Sequence, residues 1–210
     1  MIGIIDITAS HKFNKQAIVT KFLVIFVPIF PTGHYFIDKK NSAEYKAKKC
    51  RENLLKGYLL TSIPFVFLIS IGVTSGSNFS PVPLFIIYGV IVTMFSLLYN
   101  VRSKDEVEEE RLLFQKSITL NALPEYLVLK EQIKIRDFIV TKLKTYLRDY
   151  DMDWIDNVKT GNYDSFSLPL YFAAMGYEKE INKTDENLKN YKILKDRYSE
   201  EVKNKQLATQ

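Results

Sequence analysis

Three groups of side chains in this 210-residue chain have the type and spacing to do chemistry. The first is Cys50, the single cysteine, set among Lys46, Lys48, Lys49 and Arg51 in the run KAKKCR. Neighbouring cations lower a thiol pKa and favour the nucleophilic thiolate, although a bystander thiol in a reducing compartment explains the residue more simply. Being alone, Cys50 excludes an internal disulfide and any multi-cysteine zinc site within one chain. The second group is Asp149, Asp151, Asp153 and Asp156 in RDYDMDWID. Alternating aspartates hold Mg²⁺ or Ca²⁺ when a loop turns them inward, but the calcium-loop pattern needs a glycine at its sixth position and a late glutamate, and neither is present. Asp151 or Asp153 as the N-cap of a short helix bearing Trp154 and Ile155 accounts for the cluster instead. The third group is His11 and His34, the two histidines, which no nucleophile elbow, phosphate loop or dinucleotide fingerprint accompanies. No set of nucleophile, base and orienting group is assembled. The sequence therefore assigns no catalytic residue, no metal ligand and no cofactor.

The elements that must carry these residues divide the chain into three. Residues 57–74, GYLLTSIPFVFLISIGVT, and 83–101, PLFIIYGVIVTMFSLLYNV, contain no charged side chain. Each approaches the ~20 residues that a helix needs to cross the hydrocarbon core, so the pair predicts a transmembrane helical hairpin within a segment 46–104. The joining run Ser75 to Val82, SGSNFSPV, is short and neutral. Lys46, Lys48, Lys49, Arg51 and Lys56 precede the first span, and Arg102 and Lys104 follow the second. The positive-inside rule then places both termini in the cytoplasm. The spans lack the intramembrane charges of transporters and pumps. An accessory subunit of a larger transporter is the one transport role left open.

Residues 1–45 read as a β-rich, membrane-proximal module. Thr20 to Asp38, TKFLVIFVPIFPTGHYFID, has the β-branched and aromatic character of strands, and its two prolines bar a helix. A strand over Phe22 to Phe30, a turn at Thr32-Gly33 and a second strand at His34 to Ile37 make a β-hairpin. Gly3 to Thr8 and Ala17 to Val19 could add strands to it. The apolar surface of such a hairpin must be covered by lipid headgroups or by other helices of the chain. The first 56 residues hold ten Lys or Arg against four Asp or Glu. That excess favours an anionic leaflet by about 1 kcal/mol per residue near the surface. Lys21, Phe22, Phe26, Phe30, Lys39, Lys40, Lys46, Lys48, Lys49 and Arg51 are accordingly the expected membrane-surface contacts. Nucleic-acid binding has no recognition motif to support it.

The string Ala17 to Ile37, AIVTKFLVIFVPIFPTGHYFI, resembles a segment of uncharacterised bacterial membrane proteins in which a Thr-Lys-aromatic start leads to an FFIPIFP-like run and a Tyr-x-Val strand. The Thr20-Lys21 pair, Pro28 and Pro31 three apart, and Tyr35 carry the likeness, which covers about a tenth of the chain. Similar segments follow cysteine-paired zinc ribbons elsewhere; none is present here, since Cys50 is alone. The resemblance implies a membrane-associated β-module followed by transmembrane helices, and it brings no catalytic residues.

Residues 105–210 have balanced charge and helical periodicity, which predicts a cytoplasmic all-α domain. Leu112 to Phe114 open one packed face, and Ile135, Ile139, Leu143, Tyr146 and Tyr150 form a stripe. Gly161 ends the short helix, Ser167 and Pro169 start another, and a last helix begins at Thr184 with Leu188, Tyr191, Leu194, Tyr198 and Val202 inward. The fold class expected from the sequence is thus an α+β membrane protein, integral to a bacterial cytoplasmic membrane. Its expected function is non-enzymatic docking or assembly. Its expected partners are the lipid bilayer and either another protein or a second copy. The alternative is a membrane-surface enzyme or lipid-binding protein using Cys50, His34 or the Asp151 to Asp156 cluster.

Overall fold

A computed structural model describes residues 2–8, 11–25, 27–76, 82–99 and 105–208. The chain forms two compact units, residues 1–104 and residues 105–210.

In the first unit, β1 (Ile2–Ile7), β2 (Gln16–Ile25), β3 (Val27–Asp38) and β4 (Ala43–Lys46) form an antiparallel sheet in the order β1-β2-β3-β4. The β2–β3 ladder runs from Gln16 opposite Asp38 to Ile25 opposite Val27. The reversal therefore comes after Ile25, and Thr32-Gly33 lies inside β3 rather than in the turn expected there. The register slips between Lys21 and Phe22, where the partner changes from Gly33 to Pro31, and again between Leu23 and Val24, where it changes from Phe30 to Pro28. Each slip leaves one extra residue on β3, as a bulge does. β4 covers β3 only from Tyr35 to Asp38, so both prolines lie on the stretch of β3 whose outer edge has no strand beside it. A proline without an N–H is tolerated in such a place.

Alternation assigns the faces. Ile18 pairs with Phe36 and Thr20 with His34, and Ile18, Thr20, Phe22 and Phe36 are all buried. α1 (Arg51–Gly76) starts over this face. The Asn53 amide donates to the Ile18 carbonyl at 2.9 Å, and the Lys56 ammonium donates to the Thr8 carbonyl at 2.7 Å. Gly57 allows the closest approach, since a Cβ there would stand 2.3 Å from Phe22 Cζ. Phe22 also meets the Tyr58 ring edge-on at 6.0 Å. α2 (Val82–Tyr99) packs back along α1.

This arrangement corrects the expectation of a transmembrane hairpin, and with it the α+β membrane-protein class, the transmembrane helices and the integral-membrane location. Among the described residues no helix is long and apolar enough to cross a membrane. The physical reason lies in how the uncharged runs are used. The first eight residues of the 26-residue α1, Arg51 to Tyr58, are committed to the sheet, leaving 18, and α2 has 18. Eighteen residues rise about 27 Å, at the low end of what the ~30 Å hydrocarbon core requires. Of the expected loop Ser75 to Val82, residues 77–81 lie outside the described residues, as do Arg102 and Lys104.

The second unit is all-helical: α3 (Asp105–Ile118), a 3₁₀ turn (Pro124–Tyr126), α4 (Leu129–Leu147), α5 (Trp154–Thr160), α6 (Leu168–Ile181) and α7 (Asp185–Leu207). α6 is its centre, with Tyr171 through Met175 and Tyr177 fully buried. α3, α4 and α7 pack around it. Phe114 meets Phe172 at a tilt at 4.9 Å, and Phe172 in turn stacks on Tyr191 at 5.6 Å and meets Tyr198 at 5.2 Å. Ile135, Ile139 and Leu143 form the buried stripe of α4, whereas Tyr146 and Tyr150, placed on that stripe by spacing, are exposed. The helix ends at Leu147, with Arg148 left-handed at its C-cap, so Tyr146 falls in its last turn and Tyr150 beyond it.

Candidate docking surface

The largest chemical anomaly of the first unit is apolar. α2 exposes Phe85, Ile86, Ile87, Val90, Val92, Met94 and Leu97, with Phe85 at 72% and Leu97 at 67%; α1 adds Leu55, Leu60, Ile63, Phe67 and Leu68. Among the described residues of α2, Ile91 is the buried one. A helix that is hydrophobic nearly all round is normally enclosed by other structure. A monomer rarely exposes an apolar patch beyond a few hundred Å².

Basic side chains stand at the foot of these helices. Lys46, Lys48, Lys49 and Arg51 are exposed where the chain leaves β4 and enters α1. Lys39 and Lys40 are exposed on the β3–β4 turn, which buried Asp38 organises by accepting hydrogen bonds from the Lys40 and Asn41 amides at 2.9 and 3.3 Å. The other expected surface residues divide. Lys21 is paired with Glu44 at 2.7 Å and lies 4.5 Å from the Tyr35 ring centroid; its hydrogen bond to Glu44 holds its pKa above the ordinary lysine value. Phe22 is in the core, Phe30 is exposed, and Phe26 lies outside the described residues.

The residues singled out for chemistry are mostly engaged in structure. His34 Nδ1 lies 2.8 Å from Thr20 Oγ1, and its pKa is lowered by burial and then by the charge of Lys49. In the second unit, Asp149, Asp153, Asp156 and Asp164 line an open cleft of about 570 Å³. Three of these carboxylates, those of Asp149, Asp153 and Asp164, build turns. Asp153 is the N-cap of α5, accepting from the Ile155 and Asp156 amides at 2.9 and 3.3 Å. Asp149 accepts from the Asp151 amide. Asp164 accepts from the amide and the hydroxyl of Ser167, both at 2.7 Å. Ser167 thus holds the N-cap position of α6 but turns its side chain back to Asp164.

Sequence reasoning missed one grouping. His11, between β1 and β2, meets Cys50 and Glu52 at the start of α1, with Nε2 3.5 Å from a Glu52 oxygen and the Cys50 Sγ 3.7 Å from the same oxygen. Cys50 and Glu52, two apart beside a helix start, were the visible half of the signal; His11 is 39 positions away from Cys50 and only the sheet brings it there. Compared with known protein families, curated proteins and solved structures, the chain matches none.

Proposed function

We propose that this chain is a non-enzymatic assembly protein that associates through its exposed α1–α2 pair with a second copy and so displays its second, helical unit in pairs or higher multiples. The observation that supports this reading is the exposed apolar surface of α2, continued on α1. From the exposed fractions and ordinary side-chain areas, these residues present on the order of 1,000 Å², comparable with the ~800 Å² per partner of a stable interface. These residues surround most of α2, and a self-complementary part of such a surface closes readily into a two-fold dimer. With no helix among the described residues long and apolar enough to cross a membrane, a protein surface of the same kind is the covering these residues favour. The exposed Lys46, Lys48, Lys49 and Arg51 lie at the rim, where charge tunes association and salt dependence more than affinity.

Sedimentation of the full-length protein across a range of concentrations tests the reading. The expected result is a dimer or higher oligomer that Phe85→Glu together with Val90→Glu converts to a folded monomer. A wild-type monomer that floats with lipid vesicles would overturn the proposal and assign the face to lipid. A monomer that binds neither itself nor vesicles would refute it as well.

A further inference from the structure

We infer that His11, Cys50 and Glu52 form a binding site for a divalent zinc-type cation, with three protein ligands and one position left for water. The three side chains present one nitrogen, one sulfur and one oxygen donor, all within 4.8 Å of one another, and among the described residues no other such group of three occurs. The set matches the preference of a borderline-soft ion for imidazole, thiolate and carboxylate together. The spacing matches as well. Bond lengths of about 2.05 Å to nitrogen, 2.1 Å to oxygen and 2.3 Å to sulfur make tetrahedral edges of about 3.4 Å for N···O and 3.6 Å for S···O. The observed separations are 3.5 Å for His11 Nε2 to Glu52 and 3.7 Å for Cys50 Sγ to the same oxygen. A cation can therefore be received with little movement along those two edges.

The local fold supplies each ligand from an anchored place. Cys50 is buried at the entrance to α1, and its carbonyl accepts from the Leu54 amide in the first turn. Glu52 is in that same turn. The carbonyl of His34 accepts from the Ala47 amide at 2.9 Å, which ties the β4–α1 connection to the sheet. His11 sits in the β1–β2 connection, next to the hydrogen-bonded Phe13–Gln16 reversal. The His11 and Glu52 side chains are 27% and 39% exposed, which gives the ion an entry path and room for a fourth ligand. One neutral imidazole, one thiolate and one carboxylate balance a doubly charged ion. Binding releases the thiol proton to solvent and joins the β1–β2 connection to α1, so it strengthens the first unit.

Titration of the reduced full-length protein with Zn²⁺, and separately with Co²⁺, tests the inference. The expected result is one ion per chain, a thiolate-to-cobalt absorption band in the near ultraviolet, and a raised melting temperature with Zn²⁺. Cys50→Ser should abolish the band, and His11→Ala and Glu52→Gln should each weaken binding at least tenfold, as even outer-shell changes do at zinc sites. Circular dichroism of the metal-free variants, matching that of the metal-free wild type, shows that the loss is one of ligands. Stoichiometric binding without the thiolate band, binding unchanged in Cys50→Ser, or no binding at micromolar Zn²⁺ would each overturn it.

Discussion

Glu110 offers the sharpest test of how the helical unit is held together. Its carboxylate accepts from the Lys195 ammonium at 2.6 Å and from the Tyr191 hydroxyl, with the Lys179 ammonium 3.7 Å away. The side chain is 18% exposed, and Lys179 also lies 3.6 Å from the centroid of the Tyr191 ring. Burial by itself would raise the carboxyl pKa; the hydrogen bonds from Lys195 and Tyr191 outweigh it and hold the group below its ordinary value. Glu110→Gln keeps the shape and an acceptor for Tyr191, but it removes the charge facing two cations. A charge-assisted hydrogen bond contributes roughly 1.5–3 kcal/mol, at the low end here because Lys195 is a third exposed. Leaving Lys179 desolvated beside a neutral amide adds about 1 kcal/mol, for a loss of about 2–3 kcal/mol. In a unit of this size that lowers the melting temperature by roughly 10 °C or more. Trp154, the chain's single tryptophan, lies in α5 of the same unit, so its fluorescence in urea follows this unit selectively. The control is Glu109→Gln, whose exposed partner Lys203 stands at 3.5 Å and whose loss should change stability by less than about 0.5 kcal/mol. The pH dependence has a definite sign. A carboxyl whose folded pKa is lowered contributes stability above its unfolded value of 4.5, and that stability is lost as pH falls through the folded value. The gap between wild type and Glu110→Gln should therefore close below about pH 4.5. A Glu110→Gln protein as stable as wild type at pH 7, or a gap that widens in acid, would refute the reasoning.

Other substitutions probe the remaining joints. Gly176→Ala places a Cβ 2.5 Å from Phe114 Cζ, an atom of a fully buried ring; overpacking of about 1–3 kcal/mol should exceed the ~1 kcal/mol helix-propensity gain, which a shift in the tryptophan-detected urea midpoint measures. Asn53→Ala removes the donor to the Ile18 carbonyl and should cost about 1–3 kcal/mol, because a buried acceptor loses its partner; hydrogen exchange at the β2 amides would report it, and unchanged protection would refute it. Asp153→Ala removes the two-pronged cap of α5 at about 1 kcal/mol, read as a lower urea midpoint with the slope unchanged.

The sequence by itself determined the local elements, because their signals act within a few residues. The β-branched and aromatic run from Thr20 to Ile37 read as strands, although its reversal was expected at Thr32-Gly33 and comes after Ile25; Asp153, one of two cap candidates, and Thr184 stood where caps satisfy exposed amides, and Gly161 could take the left-handed conformation that ends α5. The buried stripe of α4 was legible through Leu143. Beyond that reach, only the tertiary structure decided. An apolar run fixes that a helix will be covered, not by what: the same uncharged residues that read as membrane spans begin, in α1, as a lid over Phe22 and Phe36. Phe22 and Phe30 share one apolar segment, yet one is fully buried and the other 58% exposed. The register slip between Lys21 and Phe22, which sets Phe30 opposite Leu23 and so on the other face from Phe22, makes that difference. The basic cluster around Cys50 is local in sequence, but its imidazole partner arrives from 39 residues away, through strand pairing that no short window contains.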